Sequence, residues 1–286
     1  MYGRYPDGQY IAGPFGFSDI TVANLTVAKQ QVCLANETFW LGNNFTSGHL
    51  GMAYPALTNS YTGDQDLQHL PISQVKYSPF FTTLVQEGTI DASFCLALDR
   101  NETTGIFALG GDVDVPGLDP DPSNTVALDM IIANLQGDAN PQASYQYSFY
   151  TVIPDGWVYD QTNTTRKMPY IIDSGTTCNY LPPNIANDIN SRFDPPGSYL
   201  SGYGAYYTEC DAIPPSVAVV LDGVEFEISA EDMVLQHVRD ESTDLCMTAI
   251  GNGGDGPYIL GDGFLRNALV TMDIGQAKVW FTPRRY

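Results

Sequence analysis

The chain has 286 residues, room for one large domain or two of ordinary size. Hydrophobic residues make up 43% and include 18 Tyr and 13 Phe, so a sizeable core can form and intrinsic disorder is excluded. The 12 Lys+Arg against 33 Asp+Glu give a net charge of -21, which excludes an electrostatic grip on nucleic acid or on an anionic membrane and suits work in acid, where protonation relieves self-repulsion.

Taken in chain order, the pattern is mostly β with few helices. Residues 15 to 34 place apolar side chains at alternate positions (Phe15, Phe17, Ile20, Val22, Val27, Val32), which predicts strands. Ser78-Pro79 opens a helix with Phe80, Phe81, Leu84 and Val85 on one face and Gly88 at its end. The acidic, proline-rich run 112 to 125 reads as an exposed loop; Asp112 and Asp114 fit a calcium loop, but Pro116 and Ser123 stand where further oxygen ligands belong. Pro183 opens a second helix with Ile185, Ile189 and Phe193 spaced four apart. Val217 to Leu221, Val224 to Ile228, Leu269 to Met272 and Lys278 to Phe281 read as short strands. Ser229-Ala230-Glu231-Asp232 resembles a capping box and predicts a third helix before Met233 and Val234.

No stretch reaches about 18 apolar residues, so no membrane span is expected. The opening residues lack the apolar run of a signal peptide, yet Asn-x-Ser/Thr sequons stand at Asn24, Asn36, Asn44, Asn101 and Asn163, where composition alone gives about two. Lys is scarce. A secreted, glycosylated protein is expected, extracellular or vacuolar, with its signal peptide outside this sequence. The five cysteines, Cys33, Cys95, Cys178, Cys210 and Cys246, contain no C-x-x-C, which removes zinc ribbons and thioredoxin-like motifs. Their odd number leaves at least one thiol unpaired within the chain.

Several constellations fail. Gly251-Asn-Gly253-Gly-Asp-Gly256 matches a dinucleotide fingerprint, but Pro257 prevents the helix that must follow, so a turn is expected. His49, His69 and His237 are scattered, and no G-x-S-x-G, H-E-x-x-H or phosphate loop occurs. Neither metal nor cofactor is expected. One constellation survives. In Tyr170-Ile171-Ile172-Asp173-Ser174-Gly175-Thr176-Thr177 an apolar strand runs into a carboxylate, followed by hydroxyl residues around a glycine that lets the chain turn. The hydroxyl and backbone donors suit an ionised carboxylate. Alone, such a tetrapeptide is as often a plain turn. Eighty-eight residues after Asp173, Tyr258-Ile259-Leu260 ends at Gly261, followed by Asp262 and Phe264-Leu265-Arg266.

This pair of elements resembles the active-site core of pepsin-like aspartic proteases, an Asp-Thr/Ser-Gly loop crossed by a hydrophobic-hydrophobic-Gly strand. Other segments are similar in order and spacing. Tyr5-Pro6-Asp7-Gly8-Gln9-Tyr10 resembles the flap hairpin, Ser47 to Pro55 the hydrophobic-Gly strand of the first lobe at Leu50-Gly51, and Phe94 to Leu98 with Gly105 to Gly111 the strands closing that lobe. The likeness covers nearly the whole chain and is greatest to secreted fungal members. It implies a two-lobed, mostly β acid-protease fold, with residues 1–143 as the first lobe with its flap and 144–286 as the second lobe with the Asp loop. It implies an aspartic endopeptidase acting on proteins or extended peptides in acid, inhibited by pepstatin-like compounds, monomeric, without nucleic-acid or membrane partners.

The resemblance also assigns roles. Two carboxylates hold one water and share one proton; the ionised member takes a proton from the attacking water while the protonated one supports the oxyanion. Asp173 is the second-lobe member, with Ser174, Gly175, Thr176 and Thr177 supporting its loop and Thr176 donating to the loop of the other lobe. Tyr5, Asp7 and Gly8 belong to a flap over the substrate, and Cys210 and Cys246 fall where the second lobe has its disulfide. The family has two Asp-Thr/Ser-Gly motifs, and this sequence has one. Counting 88 residues back from Gly51 lands before Met1, so the expectation is an N-terminally truncated protease whose first lobe is incomplete and whose activity, as given, is small. The rivals are a non-catalytic peptide-binding pseudoprotease, a homodimer pairing Asp173 with its symmetry mate, and a carboxylate-pair glycosidase.

Overall fold

The structure, a computed structural model, describes residues 2–4, 9–39, 48–58, 60, 75–100, 104–132 and 147–285. It is mostly β, and it gathers into two compact units, Met1–Asp91 with Ile132–Phe149 and Ala92–Ile131 with Tyr150–Tyr286.

In the first unit the alternating segment folds back on itself as two antiparallel strands, Phe15–Val22 and Leu25–Cys33. Ala23 and Asn24, both at positive φ, make the turn. The alternation is only half used: Val27 is buried, whereas Phe17 is 72% exposed. The helix Phe80–Gln86 lies against the strand Leu25–Cys33 and buries Phe80, Phe81 and Leu84, and Gly88 ends it at φ 68°. Buried Gln30 ties hairpin to helix, donating to Ser78 O and accepting from the Thr83 hydroxyl. Residues 48–54, where a hydrophobic-Gly strand was expected, form no strand, and Leu50 is 42% exposed. Tyr54 N–H reaches Ser148 O at 3.3 Å, but this single bond does not extend into a ladder.

Among the described residues the second unit holds four sheets. One runs, in spatial order, Gly105–Leu109, Ser93–Leu98, Ala268–Asp273, Lys278–Pro283 and Val126–Asp129, every pair antiparallel. Residues from the chain's first half are therefore stitched to its tail. A second sheet contains the predicted pair Val217–Leu221 and Val224–Ile228. Phe226, Phe264 and Phe281 meet in its core at 6.0–6.2 Å between ring centres, all but fully buried. The helix Pro183–Ser191 buries Ile185, Ala186 and Ile189. In the acidic run, Asp121 accepts from the backbone and hydroxyl of Ser123 and caps a single 3-10 turn, so its carboxylate serves the loop's own geometry.

The third predicted helix is corrected to one 3-10 turn, Ala230–Asp232, followed by the strand Val234–Arg239. The capping box does not close because tertiary partners take both its halves. The Ser229 N–H donates to Asn267 Oδ1, and the Asp232 carboxylate is turned inward to accept from Asn267 and Arg100.

Cys210 and Cys246 form a disulfide. Beside it, buried Asp240 accepts from the Tyr203 hydroxyl, the Ser242 hydroxyl and backbone, and the Thr243 backbone and hydroxyl. These bonds, the Thr243 hydroxyl foremost, hold its carboxyl far below the usual carboxylate range. A depressed folded-state pKa gives stability that is complete above the unfolded value, about 3.9, and is lost as pH falls toward the folded one. Asp240→Asn is expected to melt below the parent at about pH 6, with the gap narrowing at about pH 2; a gap equal at both would deny Asp240 this role.

Candidate active site

Tyr170, Ile171 and Ile172 form a fully buried strand inside a five-stranded sheet ordered Ile250–Asn252, Asn179–Leu181, Tyr258–Leu260, Tyr170–Ile172, Thr151–Val152. Aromatic and β-branched side chains suit a strand covered on both faces. The strand Tyr258–Leu260 lies between the outgoing leg of the Asp173 loop, to which it is parallel (Tyr170↔Tyr258, Ile172↔Leu260), and the returning leg Asn179–Leu181, to which it is antiparallel (Tyr180↔Ile259). The loop is thus threaded by the crossing strand. Three backbone bonds fasten it: Asp173 N–H to Leu260 O at 3.1 Å, Asp262 N–H to Thr176 O at 2.8 Å and Gly263 N–H to Thr177 O at 3.2 Å. Passage at Gly261 requires the absence of a side chain, since a Cβ there would stand 2.3 Å from the carbonyl oxygens of both Thr176 and Cys178.

The Asp173 carboxylate is half-buried at the loop's tip. Its Oδ1 accepts the Gly175 N–H at 2.9 Å and its Oδ2 the Thr176 hydroxyl at 2.7 Å. Ser174 and Gly175 are exposed. The Thr176 hydroxyl meets Asp173 within its own loop, because the tight turn brings residue i+3 back onto the carboxylate. Behind the loop Cys178 is buried, its thiol donates to Thr248 O at 3.5 Å, and burial, reinforced by the charge of Asp262, pushes its pKa up to about 12. Such a thiol is a packing group, not a nucleophile.

Tyr5, Asp7 and Gly8 of the expected flap lie outside the described residues, as do Asn44 and Asn101. Asn24, Asn36 and Asn163 are all exposed.

The sequence reading missed the short helix Asp262–Leu265, a single turn too brief for periodicity to reveal, and the ionic cluster behind it. Asp232, 1% exposed, accepts from Arg100 Nε at 3.1 Å and Asn267 Nδ2 at 3.0 Å, with Arg266 Nη1 4.0 Å away. Asn267 also donates to Gly263 O, so the cluster braces the short helix from behind. Thr177, Asp262, Arg266 and His237, with Leu98, Asp99 and Thr104, line an adjoining cleft of about 200 Å³. Asp232→Ala strips two guanidinium groups of their buried anion. It is expected to cost about 2–4 kcal/mol, below the fully buried range because Arg100 keeps part of its side chain in water. A urea midpoint equal to the parent's would refute this.

A profile of the family described as eukaryotic aspartyl protease matches residues 2–284, and the chain belongs to that family. It is 33% identical, over 97% of its length, to a probable aspartic-type endopeptidase of Aspergillus fumigatus, covering 62% of that protein. It is 28% identical to aspartic proteinase yapsin-3 of Saccharomyces cerevisiae over 100% of this chain and 54% of the yapsin. To gastricsin of Rattus norvegicus it is 26% identical, over 94% of this chain and 62% of gastricsin. The chain thus spans between about half and two thirds of the length of these relatives. No helix among the described residues is long and apolar enough to cross a membrane.

Proposed function

We propose that Asp173 is one of the two carboxylates of an aspartic endopeptidase that hydrolyses proteins and extended peptides in acid. The observation that carries this is the Asp loop itself: a half-buried carboxylate gripped by Gly175 and Thr176 and held in place by a strand threaded through its legs. The grip leaves the carboxylate aligned to accept a proton from a water at the loop's open side, where Ser174 and Gly175 are exposed. The names of the fungal and yeast relatives agree with this reading. Activation of water and protonation of the leaving amine need a second carboxylate, and the 286 residues contain a single Asp-Ser/Thr-Gly triplet. The second carboxylate is therefore assigned to sequence outside these residues, and the 286 residues alone are expected to have little or no peptidase activity. Tyr5, Asp7 and Gly8 are assigned to a flap over the substrate. The same reading makes the protein a secreted, monomeric glycoprotein carrying sugar on its exposed sequons, with a vacuolar location as the variant.

The single triplet also favours one rival, a pseudoprotease that binds peptides without cutting them. Assay of the 286-residue chain and of the full-length protein on an unfolded protein substrate at about pH 3.5, with and without a statine-type inhibitor, separates the two. Inhibitable cleavage by the full-length protein alone is the expected result. Inhibitor binding without cleavage in both would establish the rival, and cleavage insensitive to the inhibitor would end the aspartic-protease reading.

A further inference from the structure

Asn179, on the returning leg of the Asp173 loop, is fully buried. Burying a primary amide is unfavourable unless its oxygen and both N–H groups find partners. Its side-chain Oδ1 accepts the Gly261 N–H at 3.0 Å, while its own backbone N–H donates to Ala249 O at 2.8 Å. Gly261 is the point where the crossing strand leaves the sheet ladder. On one side of it Leu260 O is bound by Asp173 N–H, and on the other Asp262 and Gly263 donate to the carbonyls of Thr176 and Thr177. The Gly261 N–H between them is met by a side chain instead of the backbone. The amide nitrogen of Asn179 sits 2.9 Å from where a Cβ of Gly263 would stand, so the missing side chain of Gly263 is the space the amide occupies. That nitrogen finds no hydrogen-bond partner among the described residues. A leucine of similar volume would avoid the unmet donor. What the amide supplies and leucine cannot is the acceptor for Gly261.

We infer that Asn179 is a positioning residue of the peptidase reaction: its Oδ1 sets the crossing strand against the Thr176 and Cys178 carbonyls and thereby fixes the carboxylate of Asp173. The inference rests on the aspartic-endopeptidase reading. It concerns a group that touches neither substrate nor water and acts only through Gly261. Neither the position of Gly261 in the threaded loop nor the grip on Asp173 requires a side-chain acceptor at 179 by chain connectivity alone, so the inference can fail while the reading stands.

The test uses the full-length protein, with Asn179→Leu, Asn179→Asp and Asp173→Asn made in parallel. Asn179→Leu is expected to lower kcat by about 10- to 100-fold with KM within about two-fold, since a small displacement of a reacting group costs that much. Asn179→Asp keeps an acceptor oxygen and, when neutral, an O–H in place of the amide N–H. Burial disfavours its charged form, so the carboxyl stays neutral in acid, keeps the acceptor, and should work within about two-fold of the parent at about pH 3. A merely structural role for the side chain's bulk would not let Asp keep a rate that Leu of similar volume loses. Should Asn179→Leu fail to fold, kcat of Asn179→Asp at about pH 3 carries the test. Hydrogen exchange at the Gly261 amide, expected at least about 10-fold faster in Asn179→Leu, reads the contact without any activity. Parent-like kcat in Asn179→Leu, a kcat of Asn179→Asp more than about 10-fold below the parent's at about pH 3, or unchanged exchange at Gly261 would each overturn the inference. An active Asp173→Asn would instead overturn the peptidase reading, leaving the exchange measurement to decide the contact.

Discussion

Gly261→Ala is expected to destabilise the protein by at least about 3 kcal/mol and to abolish whatever activity depends on the Asp loop. The backbone at Gly261 is extended (φ -99°, ψ -162°), so alanine meets no conformational objection there. The objection is space: the new methyl would stand 2.3 Å from two carbonyl oxygens, Thr176 O and Cys178 O. Both carbonyls belong to the main chain of a tight turn and cannot swing aside as a side chain could. Thr176 O is also the acceptor for Asp262 N–H, so relieving the overlap breaks a bond that fastens the loop. A cost of this size is a large share of the 5–15 kcal/mol that separates a typical folded domain from its unfolded state. Gly51→Ala is the natural control. It stands where the first lobe's hydrophobic-Gly strand was expected, but no atom among the described residues lies within 4 Å of its would-be Cβ. It should change the urea midpoint negligibly, within about 0.5 kcal/mol. Equal effects at the two glycines would show that the threading of the loop is not what demands glycine at 261.

Asp173→Asn should lower the activity of the full-length protein by about 10³-fold or more while leaving the fold intact. The amide is the same size as the carboxylate. It can turn its oxygen toward the Gly175 N–H and its NH₂ toward the Thr176 hydroxyl, which accepts as readily as it donates, so both bonds of the grip survive. What is lost is the ability to take a proton from water and to share one with a second carboxyl. The melting temperature should therefore stay within a few degrees of the parent's while kcat collapses. Residual activity above about a tenth of the parent's would remove Asp173 from the reaction; a collapse of stability would mean that the grip needs the charge.

Much was legible in the chain wherever function or folding is written locally. Val217–Leu221, Val224–Ile228 and the helix starting at Pro183 fall where apolar period and turn residues place them, because each depends on a few neighbouring residues. Asp173-Ser174-Gly175-Thr176 could be singled out for the same reason: the turn, its glycine and its donors lie within four residues of the carboxylate. The disulfide between Cys210 and Cys246 came from family resemblance, since spacing alone cannot choose among pairings.

Other features were decided only by groups distant in sequence. Ser229 to Asp232 has every local mark of a helix start, yet Asn267 and Arg100 claim its donor and its carboxylate, and the chain makes one turn and enters a strand. Ser93–Leu98 and Val126–Asp129 lie in the first half of the sequence but pair with Ala268–Asp273 and Lys278–Pro283 in the tail, a choice no local pattern records. Resemblance assigned Thr176 a partner in the other lobe; the contact its hydroxyl makes with Asp173 in its own loop emerged only from the turn's geometry. Asn179 gives no signal at all in the sequence, being one more polar residue after a cysteine. Its part emerges only when the crossing strand passes 3.0 Å from its oxygen. Local order follows from propensity and the solvent's pressure on apolar side chains. The pairing of a buried donor with its acceptor is settled across the whole fold, because an unmet polar group in the core is costly wherever along the chain its partner comes from.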